Sequence, residues 1–272
     1  GGAFARESRL ARDRSGERYP GSFSDRTILE SDPHHLIEGM AIAAYAIGAS
    51  NAILYLKSGS DHARNRVQKA IDLAREYGII GHNIYSSGYN LDITIKIEPG
   101  AFVCGEETAL INSLEGKRGM PRLKPPYPTT WGLSGKPTVI NNVETIMNVP
   151  LIMQNGPEWF RSIGTESSPG TKVFAITGRG RMSGVVEVEM GTTLKSILED
   201  IVDGIKDGKE FKAIQLGGAS GSFITSEDLE TPVDFDAMKR KGFGMGAGGF
   251  VVVDETSCMV DLVRVYMEFI RN

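Results

Sequence analysis

The chain has 272 residues, of which 40% are hydrophobic and 24% charged, so it can form one large domain or two ordinary ones around real cores. A formal net charge of −4 argues against a protein that binds nucleic acid through its phosphates. The two cysteines exclude a disulfide framework and favour a reducing compartment, and no apolar run approaches the ~18 residues of a membrane helix. We therefore expect no direct membrane insertion and a cytoplasmic location, either free or peripheral to the inner membrane on its cytoplasmic side.

Helices and strands alternate in the first half of the chain. Residues 1–19 are rich in arginine and weakly patterned, and we interpret them as a solvated segment. Asp32-Pro33 is a typical helix start, and apolar residues at helical spacing follow it as far as Gly48. Further elements are predicted as strands at 52–56 and 92–97 and helices at 61–77, 106–114 and 142–154. This alternation predicts an α/β fold, with helices packed on a parallel or mixed sheet.

The pattern changes near residue 165. Strands are predicted at 171–177 and 185–190, joined by a glycine-rich hairpin, followed by an amphipathic helix at 193–202 and a strand at 212–216. The order strand, strand, helix, strand matches a small β-grasp (ubiquitin-like) unit. One more strand, at 249–254, and a helix at 257–272 complete the prediction.

Two adjacent carboxylates follow Gly105 at a predicted helix start. Free N–H groups and the helix dipole favour anions there. Glu106 and Glu107 could simply be first-turn acids, each worth about 0.3–1 kcal/mol. Alternatively they line a nucleotide pocket in which Gly105 lets a ligand approach the backbone and Phe102 stacks on a ring. In that case the amides would bind phosphate and a carboxylate would bind a ribose or carboxamide.

Two more polar clusters follow. Lys124 and Tyr127 flank a proline pair, in a loop that is either a stiff surface segment or a rigid platform for a dinucleotide. Asn141 and Asn142 either cap a helix or supply donors and acceptors to a flat heteroaromatic ring. The histidines lack metal-ligand spacing, so no metal site is expected. We predict that the three clusters form the walls of one cofactor pocket.

Longer motifs carry a family resemblance. GAFVCGEETALINSLEGKRGMPRLKPPYP and GKPTVINNVETIMNVP closely resemble the NADH-binding flavoprotein subunit of respiratory complex I, a type shared with NAD-reducing and electron-bifurcating hydrogenases. The similarity covers roughly residues 20–272. It implies a Rossmann-like FMN- and NADH-binding domain at 1–165, a β-grasp domain of the soluble-ligand-binding (SLBB) type at 166–247, and the first part of a C-terminal helical iron–sulfur domain at 248–272.

The resemblance also implies an activity, that of an NADH-oxidising (diaphorase) subunit of a multi-subunit oxidoreductase. A hydride passes from NADH to non-covalent FMN, and electrons then pass to iron–sulfur clusters. The implied partners are iron–sulfur subunits, among them a thioredoxin-like ferredoxin subunit. Glu106 and Glu107 are the implied catalytic residues. The implied cofactor-binding residues are these two with Phe102, Gly105, Lys124, Tyr127, Ile140, Asn141, Asn142 and Thr145.

The sequence departs from the family pattern in four places, one of which is residues 57–61, KSGSD, where the family has Arg-x-Glu-Tyr-Pro. The glycine-rich loop around the FMN phosphate is matched only faintly, by residues 1–4, and the family's acidic stretch is reduced at residues 15–21. Its [4Fe-4S] cysteines are expected only in a full-length subunit, beyond Asn272. We therefore expect weak FMN binding. The alternative function is a non-catalytic assembly module that kept the fold but lost the cofactor.

Overall fold

The computed structural model describes residues 2–5, 10–15, 23–98 and 101–271. The predictions for residues 6–9, for 16–21 and for Gly100 lie outside these ranges. The chain forms two compact units, one built mainly from Asp25–Gln154 and the other mainly from Asn155–Asn272.

The first unit alternates strands and helices. Its elements are β1 (Gly2–Ala5), β2 (Leu10–Ser15), α1 (Ser24–Ser31), α2 (Pro33–Ile47), β3 (Asn51–Lys57), α3 (Asp61–Glu76), β4 (Asp92–Glu98), α4 (Glu107–Leu114), β5 (Thr138–Asn142) and α5 (Val143–Asn155). The strands form one sheet in the order β1-β5-β2-β3-β4. Strands β2 to β5 pair in parallel, and β1 is antiparallel to β5. The carboxyl ends of four strands therefore share one edge of the sheet.

Strand β3 shows why helices cover both faces of this sheet. Successive side chains of a strand point to opposite faces. Leu54 and Leu56 pack into a core with residues of α2, α3 and α5. Ile53 and Tyr55 point the other way and pack against Ile111 and Leu110 of α4. This arrangement confirms the predicted α/β class.

Helix α2 begins and ends as its sequence predicts. Asp32 Oδ1 accepts the His35 N–H at 3.0 Å, Pro33 is the first helical residue, and Gly48 ends the helix with φ of 66°. Gly39 lies where α2 meets α5, because a Cβ there would come within 2.4 Å of the Ile146 carbonyl oxygen. The absence of a side chain lets the two helices approach closely.

The second unit contains a further five-stranded sheet. Its elements are α6 (Pro157–Arg161), β6 (Thr171–Gly178), β7 (Gly184–Glu189), α7 (Leu194–Ser196, continued by a π-helical turn at Ile197–Ile201), β8 (Phe211–Leu216), β9 (Ser222–Ile224), α8 (Phe235–Arg240), β10 (Gly249–Asp254) and α9 (Met259–Arg271). The strand order is β7-β6-β10-β8-β9. Phe174 of β6 and Phe250 of β10 meet edge to face in its core, with ring centroids 6.0 Å apart.

The position of β10 corrects the predicted boundary between residues 247 and 248. This strand is the central one of the second sheet, parallel to β6 and antiparallel to β8. Phe250 and Val252 are buried in the core shared by these strands. The boundary therefore separates β10 from its own sheet, and among the described elements only α9 follows β10 in the chain.

Two details complete the fold. Strands β1, β2 and β5 were not predicted, and the interpretation of residues 1–19 as a solvated segment is wrong for Gly2–Ala5 and Leu10–Ser15, which are strands of the sheet. Strand β5 pairs with β2 along its whole length, from Leu10↔Thr138 to Arg14↔Asn142. Among the described residues, no helix combines the length and the apolar character needed to cross a membrane.

Candidate functional site

The predicted site residues gather where the parallel strands end. A 3₁₀ turn, Phe102–Gly105, follows β4 and leads into α4, while β5 ends at Asn142 and leads directly into α5. In open α/β sheets, ligands bind in the crevice outside the carboxyl ends of the strands. Two helix starts and one glycine turn therefore lie on the edge where this fold class binds its ligands.

Glu106 caps its own helix. One carboxylate oxygen, Oε2, accepts the N–H groups of Thr108 at 2.8 Å and of Ala109 at 2.9 Å, together with the Thr108 hydroxyl. Burial alone would raise the pKa of this carboxyl, but the hydrogen bonds from Thr108, Ala109 and Lys124 outweigh burial and hold the pKa below its usual value. The expectation that the amides at the start of α4 bind a phosphate is thereby corrected, because the Glu106 carboxylate already occupies them.

Lys124 joins the two glutamates. Its ammonium lies 2.7 Å from Glu107 Oε1 and 3.1 Å from Glu106 Oε1. Hydrogen bonds to Glu107 and then to Glu106 raise the pKa of Lys124. The second oxygen of Glu106 is buried and has this ion pair but no well-oriented hydrogen bond. The structure thus brings the first two predicted clusters into direct contact, with a combined charge of −1.

A loop carries Lys124 back to α4, and two hydrogen bonds hold it there. The Arg122 N–H donates to Thr108 Oγ1 at 2.7 Å, and Asn112 Nδ2 donates to the Met120 carbonyl at 2.6 Å. Thr108 is only 2% exposed. Sequence reasoning missed both Thr108 and Arg122. The one available signal was a hydroxyl residue two positions after a glutamate at a helix start.

Space for a ligand adjoins this ion-pair group. A Cβ on Gly105 would meet no described atom within 4 Å, so the backbone there is open to close approach. Phe102 is half-buried beside it, and Tyr127 is exposed. A flat ring can therefore lie against the glycine, with carboxylates and an ammonium at its margin.

The third cluster is connected through Ile140. This residue packs against Tyr55, Cys104 and Leu110, and so against the turn and helix that carry the glutamates. Asn141 is half-buried, whereas Asn142 and Thr145 are exposed. Their side chains form no hydrogen bond with other described residues, which leaves these groups available to a ligand.

The chemistry of the site is that of binding rather than of metal coordination. Within the described ranges, no group of three or more His, Cys, Asp or Glu side chains could hold a metal ion. The site offers carboxylate acceptors, amide donors and acceptors, and one ammonium. These groups can orient a ligand rich in ribose hydroxyls and amides.

Comparison with known proteins gives one family. A family model described as the Nuo51 FMN-binding domain (Complex1_51K) matches residues 15–151. The NADP-reducing hydrogenase subunit HndC of Solidesulfovibrio fructosivorans is 49% identical over 91% of this chain and 50% of its own length. A NADH-quinone oxidoreductase subunit of Escherichia coli (strain K12) is 43% identical over 93% of this chain and 57% of its own length.

A solved structure agrees with these relatives. The NAD+-reducing [NiFe]-hydrogenase in its H2-reduced state matches with a TM-score of 0.83 and 35% identity, over 95% of this chain and 43% of that one. The chain thus spans about half the length of the proteins it matches. The family model covers the sheet edge, the paired glutamates and the twin asparagines, and the chain belongs to the Complex1_51K family of Nuo51 FMN-binding domains.

Proposed function

We propose that this chain is the nucleotide-binding part of an NADH-oxidising flavoprotein subunit. One observation carries the proposal, namely Lys124 held between Glu106 and Glu107 beside an open glycine at the carboxyl edge of a parallel sheet. Membership of the Nuo51 FMN-binding domain family adds support.

The residues fit FMN and NAD(H) as a stacked pair of flat rings. Gly105 gives the rings room, and Glu106, Glu107 and Phe102 surround that space. Lys124 and Tyr127 are exposed on the side open to solvent and face NADH in this proposal. The FMN phosphate is assigned to the start of α5, with Asn142 and Thr145, because the start of α4 is already capped.

A bound FMN would supply the redox chemistry, namely acceptance of a hydride from NADH and release of single electrons to iron–sulfur clusters. The chain itself has the task of binding and orientation. Glu107 would hold the dinucleotide by accepting hydrogen bonds and Lys124 by pairing with its phosphates, while Ile140 and Asn141 would hold the flavin. No proton transfer by a side chain is needed, which agrees with the depressed pKa of Glu106.

The wider assignments rest on the same proposal. They are a Rossmann-like domain at 1–165, a β-grasp domain of the SLBB type in the second unit, iron–sulfur partner subunits that include a thioredoxin-like ferredoxin subunit, and a cytoplasmic location. The arrangement β6, β7, α7, β8 supports the β-grasp assignment, because the elements follow the order strand, strand, helix, strand. The hydrogenase and oxidoreductase relatives are named as subunits of larger enzymes, which supports the partner assignment.

The test uses the whole chain incubated with excess FMN and has a separate readout for each of the two cofactors. Flavin fluorescence quenching measures FMN binding, and ferricyanide reduction measures NADH oxidation. Asn142→Ala should weaken FMN binding, whereas Glu107→Gln should raise KM for NADH about tenfold, equivalent to ~1.4 kcal/mol, with FMN binding unchanged. The exposed Glu158→Gln serves as the matched control. NADH oxidation that is insensitive to Glu107→Gln would refute the assigned role.

A further inference from the structure

A second concave surface lies on the opposite face of the first sheet from α4. It is a groove of about 1030 Å³ between α2, the end of α3, the segment 77–89 and Met153 of α5. The helices that form it pack on Leu54 and Leu56, whereas α4 packs on Ile53 and Tyr55. The groove takes from α5 only Met153, near the end of that helix, whereas the cofactor residues Asn142 and Thr145 lie at its start. An occupant of the groove would therefore not meet the proposed cofactor site. We call this surface the tyrosine groove, after Tyr45, Tyr77, Tyr85 and Tyr89, which line it.

Three of the four tyrosines are largely exposed. Tyr45, Tyr77 and Tyr85 are 68%, 73% and 78% exposed. Ile79 and Met153 add exposed apolar surface in the same groove. Contiguous exposed apolar patches mark interaction sites, and tyrosine is among the residues most enriched at the energetic centres of protein interfaces.

The loop that carries Tyr85 is strained and held in place. Asn83, Tyr85 and Ser86 all have positive φ, of 49°, 50° and 60°, a region that non-glycine residues rarely adopt. Hydrogen bonds fix this conformation. The Gly88 N–H donates to Asn83 Oδ1 at 2.9 Å, the Asn83 N–H donates to Asn90 Oδ1 at 2.8 Å, and the Ser87 hydroxyl donates to the Ile84 carbonyl at 2.6 Å. Strain of this kind persists only when the surroundings over-determine it, and it clusters at functional sites.

Tyr89, the fourth tyrosine of the groove, is held in place by two contacts. The Tyr89 hydroxyl donates to the Ala49 carbonyl at 2.5 Å, and its ring meets Tyr45 edge to face with centroids 5.2 Å apart. The aromatic wall therefore stands ready before a ligand arrives, which lowers the entropy cost of binding.

The charged side chains that line the groove determine which kind of ligand it favours. Its lining includes the carboxylates of Glu38 and of Asp32, the cap of α2, with the imidazoles of His34 and His35 and no lysine or arginine. Glu38 is exposed and forms no ion pair with other described residues. A groove with tyrosine faces and these carboxylates attracts apolar side chains accompanied by a cation, which gains both ion pairing and cation–π contact. The same charges repel an anionic membrane surface.

We propose that the tyrosine groove docks an amphipathic helix of a partner protein, with its apolar face inserted and a lysine or arginine beside Glu38. A helix is about 10–12 Å across and would place apolar anchors at i, i+3 or i+4, and i+7 in such a groove. This surface is independent of FMN and NADH, so its test does not depend on the proposed enzyme activity.

The test uses the whole chain and a fluorescein-labelled amphipathic leucine–lysine helical peptide, with a leucine–glutamate peptide of the same pattern as its counterpart. Fluorescence anisotropy should show binding of the lysine peptide only. Glu38→Lys should weaken that binding about tenfold, while Glu158→Lys, a charge reversal at an exposed site outside the groove, leaves it within about twofold. Tyr85→Asn should also weaken binding about tenfold, with exposed Phe235→Ser as its matched control.

Tyr85→Asn provides a second readout, because asparagine tolerates the left-handed conformation that tyrosine resists. The variant should melt at the same or a higher temperature while it loses the peptide. Equal affinity of wild type, Glu38→Lys and Tyr85→Asn would overturn the proposal. Concentration-dependent dimers in sedimentation that disappear in Tyr85→Asn would overturn it in favour of a second copy of the chain. Binding to phosphatidylserine vesicles that Tyr85→Asn abolishes would overturn it in favour of a membrane.

Discussion

Replacement of Thr108 by valine should loosen the site without changing its shape. The hydroxyl of this buried residue donates to Glu106 Oε2 and accepts the Arg122 N–H at 2.7 Å. A hydrogen bond to a charged group contributes about 1.5–3 kcal/mol and a neutral one about 1 kcal/mol. Thr108→Val should therefore lower the free energy of unfolding of the first unit by about 2.5–4 kcal/mol, because valine fills the same space but removes one of the three donors to Glu106 Oε2 and leaves the Arg122 N–H without its acceptor.

Urea denaturation measures this loss. Trp131 lies in the first unit and Trp159 in the second, so Trp159→Phe leaves a single fluorophore that reports on the first unit. The matched control in that background is Thr130→Val, because Thr130 is an exposed threonine in the same unit. A loss from Thr108→Val no larger than that of Thr130→Val would refute the assigned role of the hydroxyl.

The same variant has a predicted pH signature. The folded-state pKa of Glu106 lies below its usual value, so this carboxyl stabilises the fold above the ordinary glutamate pKa of about 4.3. The stabilisation is lost as the pH falls through the depressed folded-state pKa. The difference between wild type and Thr108→Val should accordingly be largest at neutral pH and should shrink below pH ~4.

Two further predictions concern other buried polar groups. Asp234 is 5% exposed and accepts hydrogen bonds from the Thr165 and Ser167 hydroxyls and from the Ala237 N–H. Asp234→Ala should therefore lower the free energy of unfolding of the second unit by about 2–4 kcal/mol, measured in urea, whereas exposed Asp236→Ala should lower it by less than ~0.5 kcal/mol. Those hydrogen bonds, the one from Thr165 foremost, hold the pKa of Asp234 far below its usual value. The stability that Asp234 adds to the second unit should therefore persist below pH ~4 and fall only in stronger acid. A loss of this stability that is complete by pH ~4 would contradict the prediction. Burial raises the pKa of Tyr89 to about 12, so ultraviolet titration should show one tyrosine that ionises later than the exposed ones, and Tyr89→Phe should remove that late step. Since the raised pKa favours the neutral phenol in the fold, stability should fall as the pH rises from about 10 to about 12, and a flat profile would refute the assignment.

Local signals predicted most of the regular elements. The apolar period of α2 and its caps, Asp32 and Gly48, act within a few residues, so the helix was identified from its own sequence. Strands β3, β4, β6, β8 and β10 are continuous or alternating apolar runs and were predicted within one or two residues of their observed bounds.

Pairing between strands that lie far apart in the chain could not be predicted from local sequence patterns. Strand β5 has the sequence TVINN, which is short and half polar, and it becomes a strand because β2, more than 120 residues earlier, pairs with it. The central place of β10 likewise depends on β6, which lies far from it in the chain.

The candidate site was only partly predictable for a related reason. The contact of Lys124 with Glu106 and Glu107 agrees with the predicted clustering of the first two groups. The sequence did not predict that Glu106 caps α4 through hydrogen bonds, because glutamate is not among the preferred N-cap residues. Its longer side chain folds back onto the N–H groups of Thr108 and Ala109, with help from the Thr108 hydroxyl, and that geometry depends on a rotamer that no spacing rule reports.

The central position of β10 has a consequence for how the second unit forms. As the chain leaves the ribosome, the pair β6 and β7 is complete some 60 residues before Gly249–Asp254, the inner neighbour of β6, is made. Until then the inner edges of β6 and β8 have unpaired N–H and C=O groups and can pair with other chains. Any nascent or proteolysed fragment that stops before Gly249 should therefore aggregate. The solubility of the strands made earlier depends on β10, the last strand of the sheet to be synthesised.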